Sequence, residues 1–320
     1  MCSRCAGPFS GKAAALLSPT SPQAGDTVSI RITPLIDPKL TSSSRRLAWL
    51  ATRSTGVPVG SAFLRLFTTA GQEHLAELDL HVHPAEQRAG VGSLLLTAAL
   101  AAARDEGRRS VIAEAEPGSP GEAFLSAHDF RKVLTLTYTR LPLAQVGLAG
   151  LREIISSPHH EYQLVAWDGM VPDELAETFA AARRAMDDMP MDDTDYGSVH
   201  WDVDRVREAV RTVENRGDLL HTVAVVAESD GSIVGFTELV VPGDGTGDAQ
   251  HYGTGVLPEH RGHGLARWMK AEAIRQARER YPHLDGLLTD TADSNRPMRA
   301  INDALGYLPT HQRVTLQLAL

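Results

Sequence analysis

The 320 residues are 42% hydrophobic and 22% charged, the balance of a globular protein, and the length fits about two domains. No apolar run approaches the roughly 20 residues of a membrane helix. A net charge of −9 argues against a protein that grips nucleic acid through a basic face.

The first 26 residues are rich in Ser, Pro, Gly and Ala. They read as a disordered leader or as the product of a start codon placed too early. The apolar run at 13–17 is too short for a secretory signal. Cys2 and Cys5 form a lone CxxC with no further cysteine to complete a zinc site, so no metal is expected. A body without cysteine fits a reducing cytoplasm.

Alternating apolar and β-branched or aromatic residues predict strands at 57–67 and 73–82, joined by a Thr-Ala-Gly-Gln turn. The stretch "QRAGVG" at 87–92 then opens a helix over 92–107, with Leu94, Leu95, Ala98, Leu100 and Ala102 near helical spacing. A strand at 109–115, a short helix and a strand at 132–141 follow. Residues 143–161 read as a partly ordered linker in which Leu143, Val146, Leu148 and Leu151 share a face.

The second half, from near Tyr162, repeats this order. Strands are predicted at 221–229, 231–241 and 249–256, with Asp230-Gly231 as a hairpin turn. "RGHGLA" at 261–266 then opens a helix over 264–280 that carries Leu265, Trp268, Met269, Ala273, Ile274 and Ala277. A strand at 285–291, a short helix and a strand at 311–320 close the chain. The offset from Gln87 to Arg261 is 174 residues, one domain length, which indicates a tandem duplication and not a solenoid. The fold class expected is α/β (α+β): two domains, 27–142 and 162–320, each a mixed, mostly antiparallel sheet flanked by helices.

The duplicated turn points to an anionic ligand. A helix N-terminus carries unsatisfied N–H groups and partial positive charge. Glycines there let the backbone approach phosphate oxygens, and Arg261 adds a fitting charge. Neither GxxxxGK[ST] nor a GxGxxG followed by a ribose-binding acid is present.

Both turns, in the same strand–turn–helix setting, resemble the acetyl-CoA motif of the GNAT superfamily of N-acetyltransferases. The resemblance covers nearly the whole chain after the leader, as two tandem GNAT-like domains of an actinobacterial type. It implies acetyl-CoA, or another short acyl-CoA, as cofactor. It also implies that the backbone amides of Arg261, Gly262, His263, Gly264, Leu265 and Ala266 cradle the pyrophosphate. Thr254, Gly255 and Val256 would pair with the pantetheine arm like an added strand. A backbone N–H near Val256 would polarise the thioester carbonyl. The equivalent residues of the first half are Leu80, His81 and Val82, then Gln87, Arg88, Ala89, Gly90, Val91 and Gly92.

The two halves differ at their ends. Asn295, Asn302 and Gly306-Tyr307 resemble the family's C-terminal motif, in which the first Asn lies near the cofactor arm. The first half has Asp129-Phe130 in place of Gly-aromatic, and no counterpart of either Asn. Catalysis is therefore expected in the second half, while the first binds cofactor or only supports the fold. Many members carry a tyrosine as general acid four residues before that Gly. Here the position is Asn302, and in the first half Leu125, so the usual acid is missing from both.

For the base, Glu238 within an apolar strand is the first candidate and His251 the second. Asp187, Asp188, Asp192, Asp193 and Asp195 crowd 185–204 among Met186, Met189 and Met191. They form either a lid that favours a cationic amine with a hydrophobic body or a solvated loop. The expected activity is cytoplasmic transfer of acetyl from acetyl-CoA to a primary amine of a small, cationic acceptor, by direct attack. The alternatives are a non-catalytic acyl-CoA-binding sensor or scaffold, and a protein or peptide N-acetyltransferase. The expected partner is a small-molecule amine, with no nucleic acid and no membrane, and the chain acts as a monomer or homodimer.

Overall fold

A computed structural model describes residues 29–36, 44–187, 189–197 and 199–320. The leader expected at 1–26, with Cys2 and Cys5, lies outside the described residues, as does Asp188. The first half runs β1 (Ile30–Leu35), β2 (Ser44–Arg53), β3 (Pro58–Phe67), β4 (Leu75–Val82), α1 (Val91–Asp105), β5 (Ser110–Ala115), α2 (Pro120–Ser126) and β6 (Arg131–Pro142). α3 (Leu148–Ser156) joins it to the second half. That half runs β7 (Tyr162–Asp168), α4 (Asp173–Ala182), α5 (Val203–Glu214), β8 (Leu219–Ala227), β9 (Ile233–Val241) and β10 (Gly247–Val256). It ends with α6 (Leu265–Arg280), β11 (Leu284–Ala292), α7 (Arg296–Ala304) and β12 (Leu308–Ala319). Among the described residues no helix is long and apolar enough to cross a membrane.

The two copies share one 12-stranded sheet in the order β1-β2-β3-β4-β5-β12-β6-β11-β10-β9-β8-β7. Two pairs are parallel, β4 with β5 and β10 with β11, and the rest are antiparallel. The final strand of each copy has crossed to the other. β12 sits between β5 and β6, and β6 sits between β12 and β11. Each copy's part of the sheet is completed by its sister's last strand.

Each parallel pair is short, and this creates the site. Pairing of β4 with β5 ends at Leu78–Ala113, and that of β10 with β11 at Gln250–Leu288. Past those points the strands part, leaving backbone N–H and C=O groups on the inner edge for other partners. A bulge between His251 and Gly253 breaks the β10–β9 register, whereas β4 pairs with β3 from Leu66–Ala76 to Gly60–Val82 without a shift.

The long helices pack across these openings by their apolar faces. α1 buries Val91, Leu95, Leu96, Ala99 and Ala103. α6 buries Leu265, Trp268, Met269, Ala271, Ala273, Ile274 and Ala277, together with Lys270. Each large aliphatic side chain so covered contributes about 1.5–3 kcal/mol. Residues 143–161, expected as a partly ordered linker, hold α3 against α6. Leu143 and Leu151 are buried there, Val146 and Leu148 pack beside them, and Trp268 Nε1 donates to the Ile155 carbonyl at 3.0 Å.

Candidate active site

The helices that follow the two duplicated turns begin without a side-chain cap. Gly264 (φ 76°) is the N-cap of α6 and Gly90 (φ 83°) that of α1, both left-handed. Asp202 caps α5, Ser119 caps α2 and Asn295 caps α7 through their side chains, while α3 and α4 also lack such a cap but start without a left-handed glycine. Uncapped first-turn N–H groups are donors in search of an acceptor. Gly262 (φ 84°) needs the left-handed region that glycine enters freely. Its counterpart Arg88 holds φ 66°, so the first copy keeps the turn at the expense of strain, about 1 kcal/mol.

In the second copy this turn lines a cleft of about 620 Å³. Thr254, Gly255, Val256, Arg261, Gly262, Gly264, Leu265, Ala266 and Asn295 all face it, with Pro297, Met298 and Ile301 opposite. His263 does not line it; its Nδ1 lies 3.2 Å from the His260 carbonyl. Asn302 does not either. It is 1% exposed and donates to Thr291 Oγ1 at 3.2 Å. Arg261 Nε donates to the Val256 carbonyl at 3.0 Å and so ties the turn to the end of β10.

A second cavity, of about 320 Å³, adjoins the cleft through Met189, Pro190, Thr254, Asn295 and Met298, which line both. It lies where β10 and β11 part. Its walls include His251, Lys270 and Asp290 from the second copy and Glu114, Leu134, Leu136 and Thr315 from β5, β6 and β12. The exchanged strands thus make this cavity a joint product of both halves. Met186, Met189 and Met191 roof it. The acids of that loop turn away: Asp187, Asp192, Asp193 and Asp195 are exposed. Asp192 accepts from Ser294 Oγ at 2.6 Å, and Asp195 lies 3.2 Å from His74 of the first copy. The lid over the cavity is therefore apolar and its described carboxylates face solvent. Among the described residues the acids at the cavity are Asp290 and Glu114, the latter 3.2 Å from Arg313.

Glu238, expected to flank the acyl group, lines neither cavity. It is 4% exposed, and its Oε1 accepts from Arg183 at 2.5 Å. Arg183 lies over the rings of Trp201, Phe236 and Phe179 at 4.4, 4.9 and 5.1 Å. Burial pushes the Glu238 carboxyl up and the guanidinium opposes it. The physical reason for the misplacement is the pleat. Glu238 projects toward α4, and its carboxylate is committed to the ion pair.

His251 does line the cavity. It is buried, its Nδ1 lies 3.4 Å from Thr237 Oγ1, and its Nε2 has no hydrogen-bond partner. Burial, with the charge of Lys270, holds the imidazole well below its usual range, so it is neutral at pH 7. Lys270 was not foreseen. It is 1% exposed, its Nζ stands 5.0 Å from the Tyr307 ring centre, and burial lowers its ammonium to about 7. The available signal was a lysine inside the apolar stripe of α6, where the offset of 174 places Leu96 in the first copy.

In the first copy the expected cofactor residues keep the turn but not the cleft. Leu80, His81 and Val82 end β4, and Gln87, Arg88, Ala89 and Gly90 form the turn, with Val91 packed into the core. Over the first helical turn stands Phe124, whose ring atoms come within 3.2 Å of a Cβ placed on Gly92. Phe124 is tilted against His128 at 4.4 Å, and His128 Nε2 is 3.2 Å from Ser93 Oγ. The corresponding Ala266 and Ile301 of the second copy line the open cleft.

The family model of the acetyltransferase (GNAT) family matches residues 20–125 and 185–307, more than half of the chain. Among solved structures the chain is similar to a tandem GNAT protein from the clavulanic acid biosynthesis pathway, without AcCoA. The identity is 24%, with 88% of this chain and 84% of that one covered, and the TM-score is 0.67. A GCN5-related N-acetyltransferase from Sphaerobacter thermophilus matches at 15% identity, covering 85% and 80%, with a TM-score of 0.64. One from Kribbella flavida matches at 17%, covering 86% and 89%, with a TM-score of 0.52. These likenesses concern the fold. No curated protein sequence matches. The chain belongs to the acetyltransferase (GNAT) family, and it carries that fold twice in tandem.

Proposed function

We propose that the protein transfers the acetyl group of acetyl-CoA to the primary amine of a small, cationic acceptor by direct attack, at the second copy alone. The observation that carries this reading is the cleft along β10 and the α6 turn opening directly into the cavity beside His251 and Lys270. An uncapped helix start with two left-handed glycines fits a pyrophosphate. The inner edge of β10 beyond Gln250, no longer paired to β11, fits the amide-rich pantetheine arm. When bound, acetyl-CoA supplies an activated acyl thioester. The chain's own residues do the rest. First-turn N–H groups of α6 hold the pyrophosphate, and a backbone N–H near Val256, at the end of β10, polarises the thioester carbonyl.

Glu114 and Asp290 draw a cationic amine into a cavity roofed by methionines. A cavity of this size, with the loop acids facing away from it, favours a small amine over a peptide. Direct attack needs no enzyme nucleophile. The test is thiol release from acetyl-CoA on adding primary amines. Turnover with small amines and none with basic peptides is expected. Tight binding of acetyl-CoA without thiol release to any amine would leave only the sensor reading.

A further inference from the structure

Position by position, the second copy carries polar side chains where the first is apolar. The offset that sets Gln87 on Arg261 sets Leu96 on Lys270. The extra residue of the β10 bulge sets Leu78 on His251. Matching the left-handed Asp129 and Gly306 sets Leu125 on Asn302 and Phe130 on Tyr307. Leu78, Leu96, Leu125 and Phe130 belong to one apolar core cluster. Their replacements are all buried, at 5%, 1%, 1% and 2% exposure. Three of them end in polar atoms with no partner: His251 Nε2, Asn302 Oδ1 and Tyr307 Oη. Buried polar atoms left unpaired lower stability by about 1–3 kcal/mol each, so a cluster of them marks a place where water or substrate completes the bonding.

We propose that Lys270 is the proton acceptor of this site, receiving the proton of the acceptor ammonium through water held among His251, Asn302 and Tyr307. This inference rests on the transferase reading above. The ammonium gives one proton to neutral Lys270. The freed amine forms a C–N bond to the acyl carbon as the C–S bond breaks, and the amine's second proton neutralises the departing thiolate. Lys270 returns its proton to solvent once the product leaves.

The titratable and charged groups around Lys270 are His251 of β10, Asp290 of β11, Tyr307 before β12 and Glu114 of β5 on the same cavity wall. His251 is held neutral, and burial raises the Tyr307 hydroxyl well above its usual range, so neither competes for the proton at pH 7. Asp290 opposes the lowering of Lys270 only in part. A base that titrates near the working pH is the most effective kind.

Two variants separate proton transfer from charge and packing. Lys270→Met and Lys270→Arg are each expected to lose about 100-fold or more in kcat, with acetyl-CoA affinity within about twofold of wild type. The first copy's Leu96 shows that an apolar side chain packs at this position. Arginine keeps the charge but cannot accept a proton, so full turnover in Lys270→Arg overturns the proposal.

The wild-type kcat should rise with pH through one ionisation near 7, and this limb should vanish in Lys270→Met. The kinetics use putrescine, phenethylamine, glucosamine and lysine methyl ester as acceptors. NMR of the protein labelled at lysine ¹³Cε needs no acceptor. A resonance titrating near 7 in the wild type and missing from Lys270→Met supports the proposal. Titration of every lysine near the ordinary value of about 10.4 overturns it. If no amine reacts, the transferase reading fails, and the NMR titration still decides the proton affinity of Lys270.

Discussion

The two copies have the same turn and different interiors. Gly90 and Gly264 start their helices in the same left-handed conformation, and Arg88 accepts strain to follow the path of Gly262. Yet β4 runs unbulged beside β3, Phe124 fills the space above α1, and Leu78, Leu96, Leu125 and Phe130 close the core. At a matching register Phe63 stands where the second copy has Glu238, and each aligns with an arginine: Arg46 over the Phe63 ring, Arg183 in an ion pair. The two copies therefore share a backbone shape, one around a partly polar interior and the other around apolar packing. A phosphate-binding turn is a local feature that survives alone. On the function proposed above, the acceptor site needs several buried polar groups that lower stability, and the first copy does without them.

The largest expected effect tests the ion pair. Glu238→Gln strands the buried Arg183 charge and should lower unfolding free energy by about 3–5 kcal/mol in denaturant titrations. Coupling Glu238→Leu with Arg183→Met, which removes both charges together, should recover most of that. The coupled variant should also keep turnover within a few fold; collapse of its kcat would restore Glu238 as the base.

Next in size, Gly264→Val forces a β-branched residue into the left-handed region at the cradle. It should weaken acetyl-CoA binding about 100-fold by calorimetry, roughly 2.7 kcal/mol. The sister change Gly90→Val should leave binding unaltered, with one site per chain in the wild type. Two sites of similar affinity would break the contrast between the copies.

Smaller still is the stability gain on making α6 resemble α1. Lys270 has a lower affinity for protons in the folded chain than in the unfolded one. The unfolded state therefore binds more protons between about pH 7 and 10.4, and stability rises with pH in that window. The penalty is complete below pH 7 and absent above about 10. Lys270→Leu should raise Tm by about 3–6 °C at pH 6 and little at pH 10, even as activity is lost. The smallest effect belongs to Phe124→Ala. Opening the first cleft should add a weak second acetyl-CoA heat, at least about tenfold weaker than the first.

Strands with clear alternation, both turns and both following helices were legible in sequence, because periodicity and left-handed glycines are local properties. The residues around one cleft followed from them: nine residues from Thr254 to Asn295 that were read as cofactor-binding line it. What stayed hidden was non-local. The exchange of β6 and β12 leaves no mark in either strand's pattern. Glu238 was legible as an acid in an apolar strand, but the face it takes depends on the pleat, and its partner Arg183 lies 55 residues away. Lys270 looked like one more cation in a highly charged helix until the burial of α6 was known.

The exchanged strands also impose an order in time. Residues 308–319 are made long after β5, yet β5 has no partner on that side until β12 arrives. During synthesis the first half therefore waits as an open-edged sheet. A bare edge of this kind recruits strands from other chains, which makes slow or interrupted translation of the second half a source of aggregation. The same dependence gives a physical reason for the chain to keep its first copy. Losing it would remove β6 from beside β11 and, with it, Leu134 and Leu136 from the wall of the working cavity.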